Sequence, residues 1–248
     1  MLYGQPSMDR LLKSHVLLFG VGGVGGHCAE ALARCGIGRF TLVDGDRVSV
    51  SNINRQAVAL HSTVGLLKVD VMRSRILDIH PEAAVSAVPR FFSVNEGRAA
   101  DKGGLSEAEV RFEAEELWEA SYDMIVDAID DIPAKVELAV QARRLGIPII
   151  SSMGAGNKKD PARFQAADLY ETSVCPLARA MRRRCRERGI ESLRVVFSKE
   201  PPVDLAEPFA AEAGRTPPGS AAFVTAAAGC VLAGEAVRML LEDSGVAP

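Results

Sequence analysis

HVLLFGVGGVGGHCAEALARCGIG, residues 15–38, decides the fold. His15 to Gly20 is a short apolar run that enters a glycine-rich turn, and Val24 to Cys35 reads as a helix stopped by Gly36 and Gly38. Gly20, Gly22 and Gly25 satisfy G-x-G-x-x-G between strand and helix. In that setting backbone N–H groups and a helix N-terminus cradle phosphate.

Working outward, Phe40 to Val43 predicts a second strand, Leu66 to Ile79 a helix ended at His80-Pro81, and Ala84 to Val88 a third strand. Residues 93–121 read as a surface excursion with a helix over Leu105 to Trp118. Met124 to Ile129 is a fourth strand, Pro133 to Leu145 a helix and Ile147 to Ile150 a fifth strand. This β-α alternation predicts a doubly wound α/β fold with a mainly parallel sheet. Beyond it, Gly154 to Tyr170 is a loop or hairpin, Cys175 to Arg188 a basic helix, Leu193 to Phe197 a strand and Pro201 to Ser220 irregular. Ala221 to Leu241 is a buried closing helix.

The 248 residues, 48% of them hydrophobic, suffice for one large domain: a nucleotide-binding core over 15–152, then a substrate-side and dimer-forming portion over 153–248. A basic-then-apolar leader and a long uninterrupted apolar run are both lacking, so a cytoplasmic protein without a membrane partner is expected. Five scattered cysteines, none in a C-x-x-C pair, argue against a disulfide framework or a zinc ribbon. A net charge of −3 means that any nucleic-acid surface must be local.

The glycine loop with Asp44 at the end of the second strand first suggests a dinucleotide, the carboxylate accepting from ribose hydroxyls. Hydride transfer, however, has no use for the polar cluster DGDRVSVSNINRQ over 44–56, nor for Lys68 at a helix start. A triphosphate attacked at its α-phosphorus does, because Arg55 and Lys68 would neutralise charge growing on the phosphates and the departing pyrophosphate. Asp127-Ala-Ile-Asp130-Asp131 follows the fourth strand on the sheet edge where open α/β folds bind ligands, and Asp130 or Asp127 would serve a magnesium ion. Taken singly, each piece has a plainer reading: a solvated cation, or an aspartate capping the next helix.

Glycine loop, D-x-D, S-N-x-N-R-Q, lysine and D-x-x-D, in this order, resemble the ubiquitin-activating-like proteins, which include the ThiF and MoeB types of sulfur-carrier adenylyltransferase. The resemblance implies Mg2+ and ATP bound by Gly20, Gly22, Gly23, Gly25, Asp44, Asp46, Ser51, Asn52, Asn54, Arg55, Gln56, Lys68, Asp130 and Asp131. Arg55 and Lys68 would lie on phosphates and Asp130, with Asp127 as the alternative, on the metal. The second half, with Asp160-Pro161, Asp168-Leu169, Cys175-Pro-Leu-Ala, Val196-Phe-Ser and GSAAFVTA from Gly219, resembles the tRNA threonylcarbamoyladenosine dehydratases. The expected activity is ATP-dependent adenylation of the modified nucleoside's carboxylate and its cyclisation. The alternatives are adenylation of a ubiquitin-like sulfur carrier and a non-catalytic tRNA-binding module. A homodimer and a sulfur-transfer partner are further expectations of the resemblance. An arginine before Leu2-Tyr3-Gly4 is another; the sequence carries none there, and Arg10 is no obvious substitute.

One feature supports tRNA independently: Arg179, Arg182, Arg183 and Arg186 fall at helical offsets 0, 3, 4 and 7, so they share a face that can track RNA phosphates. A solvated helix face is the plainer alternative.

Overall fold

In the computed structural model, which describes residues 2–92, 117–118, 121–203 and 219–242, seven strands form one sheet. In chain order the elements are α1 (Gln5–Lys13), β1 (His15–Phe19), α2 (Gly25–Arg34), β2 (Arg39–Val43), α3 (Lys68–Ile79), β3 (Ala84–Val88) and β4 (Met124–Asp127). They continue as α4 (Ile132–Leu145), β5 (Ile149–Ser152), β6 (Phe164–Asp168), α5 (Pro176–Glu187), β7 (Arg194–Ser198) and α6 (Ala222–Glu242). The order across the sheet is β3-β2-β1-β4-β5-β7-β6, all parallel except β6, which pairs antiparallel with β7. The chain departs from β1 toward β2 on one side and returns at β4 on the other, so the crevice between the β1 and β4 ends is the switch point of a doubly wound fold.

Alternation along β1 divides the core. Val16 and Leu18 face one layer with Leu11 of α1, Cys28 and Leu32 of α2, Met72 and Ile76 of α3, and Val224 to Leu241 of α6. Leu17 and Phe19 face the other, with Leu138 and Ala142 of α4. Trp118 completes this second layer at 6.3 Å from the Phe19 ring and 6.4 Å from the Phe92 ring. A third cluster joins α4 and α5 to β7 through Val136, Met181, Cys185 and Phe197.

The differences from the sequence reading are local. Helix α1, absent from that reading, buries only Ser7 and Leu11 of its nine residues, too little to leave a periodic signal. The fifth strand lies two residues later than expected, with Ile125 of β4 donating to the Pro148 carbonyl before β5 begins. The 154–170 segment supplies the edge strand β6. The helix expected over Leu105 to Trp118 falls outside the described residues except for 117 and 118, and most of the irregular 201–220 stretch does likewise. Helix α6 is long and apolar enough to cross a membrane by composition, but 56% of its apolar window is buried within the protein. Core packing therefore accounts for its apolarity. Its Gly229 lies where a Cβ would stand 2.5 Å from the Val24 carbonyl oxygen, so α6 closes directly on the start of α2.

Candidate active site

The glycine loop leaves β1 with Gly20 at φ +84, a left-handed conformation that disfavours side chains. A Cβ on Gly25 would lie 1.7 Å from the Gly20 carbonyl oxygen, so glycine is required for the loop to fold back onto α2. A Cβ on Gly23 would meet the Thr225 side chain of α6 at 3.3 Å, and one on Gly22 only the Gln56 amide at 3.6 Å. The loop is thus clamped from α6 and open on the side of Gln56.

Asp44 shapes this loop from the end of β2. Its Oδ2 accepts from Val21 N–H and its Oδ1 from Asp46 N–H, each at 2.8 Å. Burial raises the Asp44 pKa above the usual carboxylate value, an effect opposed by the charge of Lys68 and by these two N–H donors. Lys68, at the first position of α3 and only 5% exposed, pairs with Asp46 at 2.7 Å, while Asp46 itself reaches solvent. A nearly buried ammonium held on an exposed carboxylate can be taken over by an incoming polyanion.

A short 3-10 turn, Val50–Asn52, opens the 51–56 segment; Asn52 Oδ1 accepts from Ser49 N–H at 3.1 Å and Ser51 Oγ meets Ser49 Oγ at 2.8 Å. Arg55 is folded back, donating to Ser51 O at 2.8 Å and Asn54 Oδ1 at 2.9 Å, and Asn54 Nδ2 donates to Ser220 O at 3.2 Å. Gln56 turns toward the glycine loop, and its Oε1 is buried with no partner among the described residues. A buried acceptor without a donor is costly, so this atom suits a hydroxyl or amine of a bound molecule.

The geometry separates the aspartates that the sequence left together. Asp127 is wholly buried: Oδ2 takes the ammonium of Lys135 at 2.9 Å and the Ser151 hydroxyl at 2.6 Å, and Oδ1 takes Ile129 N–H at 3.2 Å. The expectation that Asp127 serves as the alternative magnesium ligand is corrected accordingly, since its oxygens are committed inward. Asp131 caps α4, with Oδ2 accepting from Ala134 N–H at 2.9 Å. Asp130, between them, is exposed, and among the described residues its carboxylate has no hydrogen-bond or ion-pair partner. The described residues contain no group of three or more His, Cys, Asp or Glu side chains fit to hold a metal alone. One accessible carboxylate beside a phosphate cradle fits magnesium, which takes one or two carboxylates and completes its shell with phosphate oxygens and water.

Reasoning from sequence missed Lys135, Ser151 and Thr225. Lys135 was findable: with Leu138, Ala139 and Ala142 it falls at offsets 0, 3, 4 and 7, a lysine on an otherwise apolar buried face. Arg10, weighed as a phosphate-binding substitute, lies at the opposite end of the strands, paired with Asp123 at 2.9 Å just before β4.

Helix α5 buries Ala178, Met181 and Cys185 and turns arginines outward. Burial pushes the Cys185 thiol up to about 11, with the nearby Asp127 charge acting the same way, so it is no nucleophile at neutral pH. Arg179, Arg183 and Arg186 are exposed, Arg186 lying over the Tyr170 ring at 5.0 Å. Arg182 is half-buried and donates to the Thr172 carbonyl at 3.0 Å and to its hydroxyl, which removes it from the open part of the stripe.

A doubly wound sheet with a clamped glycine loop between its first strand and the following helix has the form of a nucleotide-binding α/β protein. A profile of the ThiF family matches residues 1–247, and the chain belongs to that family. Within it, the tRNA threonylcarbamoyladenosine dehydratase of Bacillus subtilis (strain 168) is 40% identical over 97% of this chain and 92% of that protein. The crystal structure of E. coli tRNA N6-threonylcarbamoyladenosine dehydratase in complex with ATP matches with a TM-score of 0.82 and 33% identity, covering 98% of this chain and 92% of that one. The sulfur carrier protein adenylyltransferase of Thermus thermophilus stands further off, at 29% identity over 96% of this chain and 73% of that protein.

Proposed function

We propose that this chain uses ATP to adenylate the carboxylate of N6-threonylcarbamoyladenosine in tRNA and lets the activated group cyclise with net loss of water. The support for this reading is that Lys68 (through Asp46 and Asp44), Arg55 (through Thr225) and the segment leading into Asp130 (through Ala128) are each linked to the glycine loop, in a chain whose 40% identity to the Bacillus dehydratase extends over 97% of its length. A carboxylate is a poor electrophile at neutral pH, and the adenylate gives it AMP as a leaving group. With the attacking group in the same nucleoside side chain, holding that side chain in place supplies much of the remaining acceleration. No protein nucleophile is needed.

The backbone N–H groups at the start of α2 hold phosphate, and Asp44 accepts from the ribose. Lys68 exchanges Asp46 for the triphosphate, and Arg55 unfolds from Ser51 and Asn54 to reach it. Both cations neutralise charge that develops as pyrophosphate departs. Asp130 would hold Mg2+, whose charge would add to that of the two cations at the triphosphate.

Substrate RNA crosses the outer face of α5. Arg183→Ala with Arg186→Ala is expected to weaken tRNA binding without sequence preference and to lower the log–log salt slope by about 1 for each RNA phosphate no longer neutralised. An unchanged slope in a filter-binding titration would remove α5 from the interface. Val50, Leu60, Val64 and Leu66 are exposed apolar side chains between Asp46 and Lys68, which supports a homodimer formed beside the site; light scattering reads this directly.

ATP–pyrophosphate exchange tests the reaction class. Exchange that requires tRNA bearing threonylcarbamoyladenosine is the expected result. Exchange driven instead by the C-terminus of a ubiquitin-like sulfur carrier would replace this reading with the adenylyltransferase one.

A further inference from the structure

The wholly buried Lys135–Asp127 pair is not used by the chemistry above, and burying it has a cost. Replacing such a pair with apolar groups is often neutral or stabilising, so fold stability alone gives little reason for it. Its bonds, however, are directed at one place. Strand register aligns Phe19, Asp127 and Ser151 across the ends of β1, β4 and β5. From there Asp127 Oδ1 holds the N–H of Ile129 at 3.2 Å, and Lys135 Nζ holds the Ile129 carbonyl at 3.1 Å. On the far side of Asp130, Asp131 is tied to the first turn of α4 through Ala134 N–H and, by its carbonyl, Lys135 N–H. Asp130 is therefore the one residue left open between two fixed backbone positions. The segment also lies against the phosphate cradle: Ala128 N–H donates to Phe19 O at 2.8 Å, and a Cβ on Gly20 would stand 2.8 Å from Ala128 O.

We infer that Lys135, through its contacts with Asp127 and the Ile129 carbonyl, is a positioning residue that aims the Asp130 carboxylate at the metal–triphosphate. An apolar residue at 135 would fill the space but leave the Ile129 carbonyl unheld, and Asp130 would sample orientations away from the phosphates. This rests on the proposed role of Asp130, so the test separates the two. The full chain is titrated calorimetrically with AMP, with ATP in EDTA and with ATP in Mg2+, for the native protein, Asp130→Ala and the charge-neutral double variant Lys135→Met/Asp127→Asn.

The double variant is expected to bind AMP and metal-free ATP within about twofold of native and Mg-ATP about tenfold more weakly, as for outer-shell partners of metal ligands. Asp130→Ala should lose the magnesium-dependent gain altogether. A double variant that binds Mg-ATP as tightly as native, while Asp130→Ala does not, overturns the inference and leaves the role of Asp130 standing. Equal losses for AMP and Mg-ATP overturn it in favour of a general structural role. If Asp130→Ala keeps the magnesium-dependent gain, both the role of Asp130 and this inference fall. Should the double variant not fold, Ser151→Ala, which leaves the buried ion pair intact and removes one of the bonds that orient Asp127, is expected to weaken Mg-ATP binding about threefold with AMP binding unchanged, and no such difference overturns the inference.

Discussion

Lys68→Ala is expected to lower the rate of ATP–pyrophosphate exchange by about a thousandfold while leaving the fold intact, in line with losses seen when a charge is removed from a transferring phosphate. The fold should survive because Lys68's partner, Asp46, is 52% exposed at its side chain and is resolvated when the ammonium goes. A second effect has a defined sign. Burial holds the Asp44 pKa above its usual value and Lys68 opposes that rise, so removing Lys68 moves it higher still. The acid limb of AMP binding should then shift to higher pH, because Asp44 is protonated and lost as an acceptor sooner as pH falls. An exchange rate within tenfold of native would show that Lys68 does not act on the phosphates.

Gly25→Ala is expected to abolish nucleotide binding and to destabilise the protein by about 3 kcal/mol or more, beyond ordinary overpacking. The added Cβ would lie 1.7 Å from the Gly20 carbonyl oxygen and 3.0 Å from Ala128 Cβ, and the first of these is backbone that cannot rotate away. Gly22→Ala is the matched control, meeting nothing nearer than the Gln56 amide at 3.6 Å. It should melt with the native protein yet bind ATP less tightly, because its methyl group stands where phosphate approaches the backbone. Thermal unfolding and calorimetry on the two variants separate a loop that shapes the fold from one that also binds phosphate. Native affinity in Gly25→Ala would mean that the loop opens differently from the arrangement described.

The parts of this architecture legible in the sequence are those where pattern and packing coincide. His15 to Phe19 is an apolar run because β1 is covered on both faces, and the loop glycines after it are needed where Gly25 folds back against Gly20. Edge strand β6 left no such mark: its burial follows no two-residue alternation, Phe164 and Ala167 being buried and the rest half-buried, and its pairing with β7 depends on residues about thirty positions later. Asp127 and Asp130 were indistinguishable in sequence because each is an aspartate at a strand end. Their separation depends on Lys135 and Ser151, which reach Asp127 from α4 and β5. The arginine stripe on α5 was correctly spaced, but the loss of Arg182 to Thr172 depends on how the turn at 169–172 packs against the helix. Thr225 lay within the GSAAFVTA stretch, but as one small residue in a helix of small residues it did not signal its place over the glycine loop.

The most direct test of the central claim is to incubate the protein with tRNA bearing threonylcarbamoyladenosine, with and without Mg-ATP, and to weigh the digested nucleosides by mass spectrometry. The account predicts that the modified nucleoside loses the mass of one water only when ATP is present, and that Lys68→Ala prevents the change. A nucleoside of unchanged mass after incubation of the native protein with Mg-ATP, or the same loss in Lys68→Ala, would contradict it.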